Sequence, residues 1–137
     1  MKVRTYLGFL VIAGLLAAAG CSSSSPPPTT TTGPGGQQVT VSLVAQGLGF
    51  DKSSISVPAG ASVTINFNNK DTGIPHNFAL YTSGSASGTA SGPLFVGPTI
   101  NGPATISYTF TAPSQPGTYF FRCDTHPTTM TGSFIVT

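Results

Sequence analysis

Charge is what this sequence has least of: only 6% of its 137 residues are Asp, Glu, Lys or Arg, against roughly 25% in an average soluble chain. That scarcity, with 39% hydrophobic residues, excludes a disordered chain held open by like-charge repulsion. It also excludes a nucleic-acid binder, because five basic side chains cannot neutralise many phosphates. The formal +2 is local. Lys2 and Arg4 supply it, while Lys52, Lys70 and Arg122 balance Asp51, Asp71 and Asp124. Tryptophan is absent, and Cys, His and Met occur only twice each. A single folded domain is the expectation at this length.

What is present begins with an address. Residues 1–21 run from a basic Met-Lys-Val-Arg through an apolar stretch to Gly20-Cys21, the pattern of an export signal. The apolar stretch, Tyr6 to Ala19, is about 14 residues and falls short of the roughly 20 needed to span a bilayer. Leu15-Leu16-Ala17-Ala18-Ala19-Gly20-Cys21 resembles the lipobox of bacterial lipoproteins, which implies cleavage before Cys21 and lipid on that residue. The alternative is an ordinary signal peptide that happens to contain a Cys. Residues 22–38, rich in Ser, Pro, Thr and Gly, read as a linker with no apolar side chain to bury. Such a tether reaches roughly 20 Å as a coil and about 50 Å as polyproline II. The expected location is therefore the extracytoplasmic or periplasmic face of a membrane, by way of the lipid.

From residue 39 to 137 the pattern changes to period two, with β-branched and aromatic residues between Gly, Pro and Asn turns. Strands are predicted at Val39–Val44, Ser54–Val57, Ser62–Asn66, Asn77–Tyr81, Leu94–Val96, Thr105–Thr111, Thr118–Cys123 and Thr131–Val136. No window sustains a helical period. Thr82–Gly92 reads as a low-complexity loop. Seven to eight short strands in about a hundred residues predict an all-β Greek-key sandwich.

One constellation carries chemistry. If Cys21 bears lipid, Cys123 is left alone in an exported protein, which leaves an intermolecular disulfide, a reactive thiol or a metal ligand. Its surroundings favour the last. Cys123-Asp124-Thr125-His126-Pro127-Thr128-Thr129-Met130 places a thiolate, an imidazole and a thioether on one short loop, and His76 lies upstream in Pro75-His76-Asn77. Two imidazoles, a thiolate and a weak axial thioether form the set expected of a blue electron-transfer copper site. Soft sulfur favours Cu(I), and imidazole accepts both oxidation states. Structural zinc usually takes four firm Cys or His ligands, and Met is not a normal one. Taken singly, each of these residues is as readily a satisfied polar group or a core side chain.

Residues 39–137 resemble the cupredoxins, the plastocyanin, pseudoazurin and amicyanin group of small blue copper proteins. The resemblance rests on Ser54-Ile55-Ser56-Val57-Pro58-Ala59-Gly60 leading into Val63–Phe67, on Pro75-His76-Asn77, and on Gly117–Cys123 with Cys-x2-His and a following Met. It implies His76, Cys123 and His126 as equatorial ligands of one type 1 copper ion and Met130 as the axial one. It also implies that Asn77 ties the two ligand loops together and helps hold the sulfur. Three residues separate His126 from Met130, a spacing that varies within the group.

Three functions are open at this level. The first is a membrane-anchored one-electron carrier whose redox partners dock near His126, within an apolar collar of Pro75, Pro127 and either Ile74 or Phe78. The second is a surface protein for copper buffering or delivery. The third is a plain interaction sandwich, which leaves Cys123 without a role. Enzymatic copper chemistry is excluded by counting, since type 2 and trinuclear centres need further His, and a dinuclear centre needs a second thiolate on the loop. The carrier is expected to be a monomer.

Overall fold

The computed structural model describes residues 29–33 and 36–137; the export signal, Cys21 and most of the expected linker lie outside them. Twelve strands are present among the described residues, and no helix. They are β1 (Thr29–Gly33), β2 (Gly36–Gln46), β3 (Gly49–Phe50), β4 (Ser54–Val57), β5 (Ser62–Asn69) and β6 (Pro75–His76). After these come β7 (Ala79–Gly84), β8 (Ala90–Val96), β9 (Ile100–Asn101), β10 (Ala104–Thr111), β11 (Gly117–Arg122) and β12 (Thr131–Val136).

One sheet has the order β1-β2-β5-β10, with β3 also paired to β2, and the other has the order β4-β12-β11-β7-β8. The two parallel pairings, β2 with β5 and β12 with β4, require the chain to cross between sheets. The alternation anticipated from the sequence is visible in β2, where Val39, Val41 and Leu43 are buried and Thr40 and Ser42 are exposed. Inward residues of both sheets meet in one core. Val63, Ile65 and Phe67 of β5 face a cluster that includes Leu80, Phe121 and Phe134. Phe78 sits at its centre, with ring centroids 5.5 Å from Phe121 and 5.9 Å from Phe110. Each large apolar side chain so buried contributes roughly 1.5–3 kcal/mol to the fold.

All eight predicted strands lie on or overlap observed ones, and two expectations change. Thr29–Gly33 pairs antiparallel with β2, so regular structure begins inside the segment read as a linker. A run of threonines has no apolar alternation, and only its backbone pairing reveals it as a strand. Thr82–Gly92 is not a loop throughout: β7 and β8 form a hairpin that pairs Ser83 with Ser91 and Gly84 with Ala90. Gly84 is small because a Cβ there would overlap the Phe120 ring. Small residues gave no periodic signal, but they pair without difficulty.

The remaining pair, β6 with β9, sets Pro75 opposite Asn101 and His76 opposite Ile100. It fixes the approach to one end of the sandwich, where the β11–β12 loop also emerges.

Candidate metal centre

Two segments build the site. The first is the chain from Asn69 to His76, organised by a polar side chain with no exposure. Asn69 donates through Nδ2 to the carbonyls of Ile74 (2.8 Å) and Ile100 (2.9 Å), and its Oδ1 accepts from the Asp71 N–H (3.0 Å). Gly102 packs against this turn so closely that a Cβ would overlap the Asp71 carbonyl and the Asn69 side chain. The second segment is the loop from Cys123 to Met130. The Cys123 N–H donates to the Met130 carbonyl (2.9 Å), and the Met130 N–H donates to the His126 carbonyl (3.1 Å), closing the loop on itself.

These segments bring His76, Cys123 and His126 together. Cys123 Sγ lies 3.7 Å from His76 Nδ1 and 3.9 Å from His126 Nδ1, and the two Nδ1 atoms are 3.1 Å apart. Metal–nitrogen bonds of about 2.0 Å and metal–sulfur bonds of about 2.3 Å span donor-to-donor edges of roughly 3–4 Å. The triangle therefore fits a single ion. His76 and Cys123 are fully buried, and His126 is half-buried. Burial, and His76 beside it, hold His126 below the usual imidazole range, which favours the neutral, metal-binding form. Met130 is buried in the core at the end of the same loop.

Asn77 joins the two segments. Its backbone N–H points at Cys123 Sγ (3.5 Å), its Nδ2 donates to the Gly97 carbonyl (3.1 Å), and its Oδ1 accepts from the Asp124 N–H (2.8 Å). Asp124 is held in turn by Tyr81 Oη and Arg122 Nε, each donating at 2.7 Å. Thr125 adds a second tie, donating from Oγ1 to the Pro75 carbonyl (2.8 Å) while lying 2.9 Å from Cys123 Sγ.

Three participants were not legible as site residues in the sequence: Thr125, Asn69 and Asp71. Asp71 Oδ2 accepts from His76 Nε2 at 2.9 Å. The backbone N–H of Gly47, the His76 ring and the N–H of Leu48 together hold the Asp71 carboxyl below its usual range. The one available signal was an acid five residues before a candidate ligand, which by itself is commonplace. Of the expected apolar collar, Ile74, Pro75 and Pro127 are half-buried. Phe78 is a correction: it has no exposure, because it fills the centre of the core.

The family model for the cupredoxin-like domain matches residues 10–136. Auracyanin-A of Chloroflexus aurantiacus is 34% identical over 125 residues, covering 74% of this chain and 76% of its own. The solved structure of auracyanin A, described as a "blue" copper protein from that green thermophilic photosynthetic bacterium, matches with a TM-score of 0.65 and 32% identity. That match covers 73% of this chain and 99% of the other. Auracyanin B matches with a TM-score of 0.62 and 26% identity, over 82% of this chain and 99% of its own.

Proposed function

The chain belongs to the cupredoxin-like family, and from that premise we propose that it is a type 1 (blue) copper protein acting as a one-electron carrier. The observation that carries the reading is the donor triangle of His76 Nδ1, Cys123 Sγ and His126 Nδ1, with edges of 3.1–3.9 Å. When bound, the copper supplies one-electron exchange between Cu(II) and Cu(I). The chain's own residues hold the geometry constant through that exchange. Cys123 provides soft sulfur, and the Asn77 N–H steadies it. His76 and His126 provide nitrogen donors that suit both oxidation states. Met130, buried at the end of the same loop, would add a weak thioether donor. Asn77 and Thr125 tie the two ligand segments together and Asn69 braces the first of them, so little rearrangement accompanies the electron.

Carrier is favoured over copper buffering or delivery by burial. Cys123, His76 and Met130 have no exposure, and a delivery site needs ligands that a recipient can reach. His126 is the half-buried ligand, and redox partners dock there against the neighbouring Pro127 and the half-buried Ile74 and Pro75. A metal centre built for retention in this way is not an enzyme's open coordination site. We place the protein as a monomer at the extracytoplasmic face of a membrane, held by lipid on Cys21 and spaced from it by the Ser/Pro/Thr/Gly-rich segment. Metabolic labelling with a fatty-acid probe tests the anchor, since label is expected on the wild type and absent from Cys21→Ala.

Repeated redox cycling tests the carrier. The copper-loaded protein is oxidised and reduced against a chelator while bound copper is measured. Full retention is expected; release of metal on either half-cycle would replace the carrier reading with copper handling.

A further inference from the structure

Asp71 makes more contacts than an acidic residue in a short turn needs. Its Oδ1 accepts from the Gly47 N–H at 2.7 Å, and its Oδ2 accepts from the Leu48 N–H at 3.1 Å and from His76 Nε2 at 2.9 Å. Gly47 and Leu48 are the two central residues of the β2–β3 hairpin, and both are left-handed, with φ of 62° and 57°. That is the two-residue turn whose hand matches strand twist, and it is usually filled by Asn-Gly or Gly-Gly. A leucine there carries a steric penalty on the order of 1 kcal/mol. The hairpin thus relies on the carboxylate of a residue more than twenty positions away, which also contacts a side chain of the metal centre.

We infer that Asp71 is a positioning residue, which fixes the nitrogen that His76 turns toward the metal and braces that ring against the β2–β3 hairpin. The chemistry follows from the acceptor. An ionised carboxylate has no hydrogen to give, so the proton in the contact belongs to His76 Nε2. In the neutral ring the lone pair is then on Nδ1, the atom that lies 3.7 Å from Cys123 Sγ. A carboxylate on the outer nitrogen of a ligand imidazole also raises its donor strength, which favours Cu(II) over Cu(I). This last consequence rests on the copper reading above; the tautomer does not.

Asp71→Asn is the informative substitution, because the amide keeps the shape and loses one acceptor. Its NH2 group must face either the Gly47 N–H, or both the Leu48 N–H and His76 Nε2–H. Two measurements read the result. Long-range proton–nitrogen NMR of the metal-free protein is expected to show His76 as the Nε2–H tautomer in the wild type and as a tautomer mixture in the variant. In the copper-loaded protein, the ratio of Cu(II) to Cu(I) affinity is expected to fall about tenfold, at the low end of such outer-partner effects. That is a rise in potential of about 59 mV for a one-electron couple.

A wild-type His76 found as the Nδ1–H tautomer would overturn the inference, whether or not the variant folds. So would an Asp71→Asn protein with unchanged tautomer and potential and only a lower melting temperature, the behaviour of a simple turn cap. Failure of the wild type to form a blue centre, with the tautomer result intact, would remove the copper reading and leave the positioning role standing.

Discussion

His76 Nδ1 and His126 Nδ1 face each other at 3.1 Å, both within 4 Å of the Cys123 sulfur. Two neutral imidazoles cannot aim lone pairs at one point without a proton or a cation between them. Asp71 accepts from the far side of His76, so with both rings neutral the hydrogen between them is carried by His126 Nδ1. A metal ion replaces that proton and satisfies three donors at once. The folded state is therefore arranged to gain from metal in a way that the unfolded chain, with its donors scattered, is not.

Metal should stabilise the protein accordingly. At a free Cu(II) concentration a thousandfold above the dissociation constant, the gain is about 4 kcal/mol. Scanning calorimetry is expected to show a clear rise in Tm, lost for the most part in His126→Ala.

Asn77 is 2% exposed and satisfies the Gly97 carbonyl and, on the Cys123–Met130 loop, the Asp124 N–H. Asn77→Ala leaves the Asp124 N–H and the Gly97 carbonyl without that partner, a loss of about 2–4 kcal/mol. Chemical denaturation of the metal-free protein measures it, separating the scaffold role from any effect on the metal.

Met130→Leu tests the axial thioether. The swap conserves volume and is expected to cost less than about 1.5 kcal/mol. The reduction potential should nonetheless rise, because leucine leaves a more apolar pocket with one donor fewer, which disfavours the doubly charged Cu(II) more than Cu(I). An unchanged potential would make Met130 a core-filling side chain only.

Alkaline pH should expose the buried Tyr108. Burial first, and then the nearby Cys123, push its hydroxyl from the usual 10.0 up to about 12. The unfolded chain ionises before the folded one does, so the stability held below pH 10 is lost as pH climbs from 10 toward 12, by about 2–3 kcal/mol. Denaturation midpoints across that window should fall, and Tyr108→Phe should flatten the decline.

Docking should depend little on salt. Residues 39–137 carry three acidic and three basic side chains, two of the latter paired as Lys52–Asp51 and Arg122–Asp124. Stopped-flow association with a redox partner is expected to change less than about threefold between low and physiological ionic strength. A steep decline would point to a charged docking face.

The cluster of His76, Cys123 and His126 was legible because its pieces are local: Cys-x2-His lies on one loop, and His76-Asn77 follows a proline. The sandwich was legible because β2, β5 and β10 alternate cleanly. Asp71 escaped for the opposite reason. Its partners Gly47 and Leu48 reach it only after β2 and β3 have turned back, and no sequence period encodes that meeting. The short β6–β9 pair escaped likewise, being two residues on each side, and β1 escaped because threonines paired at an edge leave no hydrophobic trace.

A blue copper centre in this protein is tested by the electronic spectrum of the purified chain after a stoichiometric addition of Cu(II). Intense thiolate-to-copper absorption in the visible, with narrow copper hyperfine splitting in EPR, is the predicted result, both abolished by Cys123→Ser. Weak absorption with the wide splitting of an ordinary Cu(II) complex would contradict the assignment of His76, Cys123 and His126 as a blue copper centre.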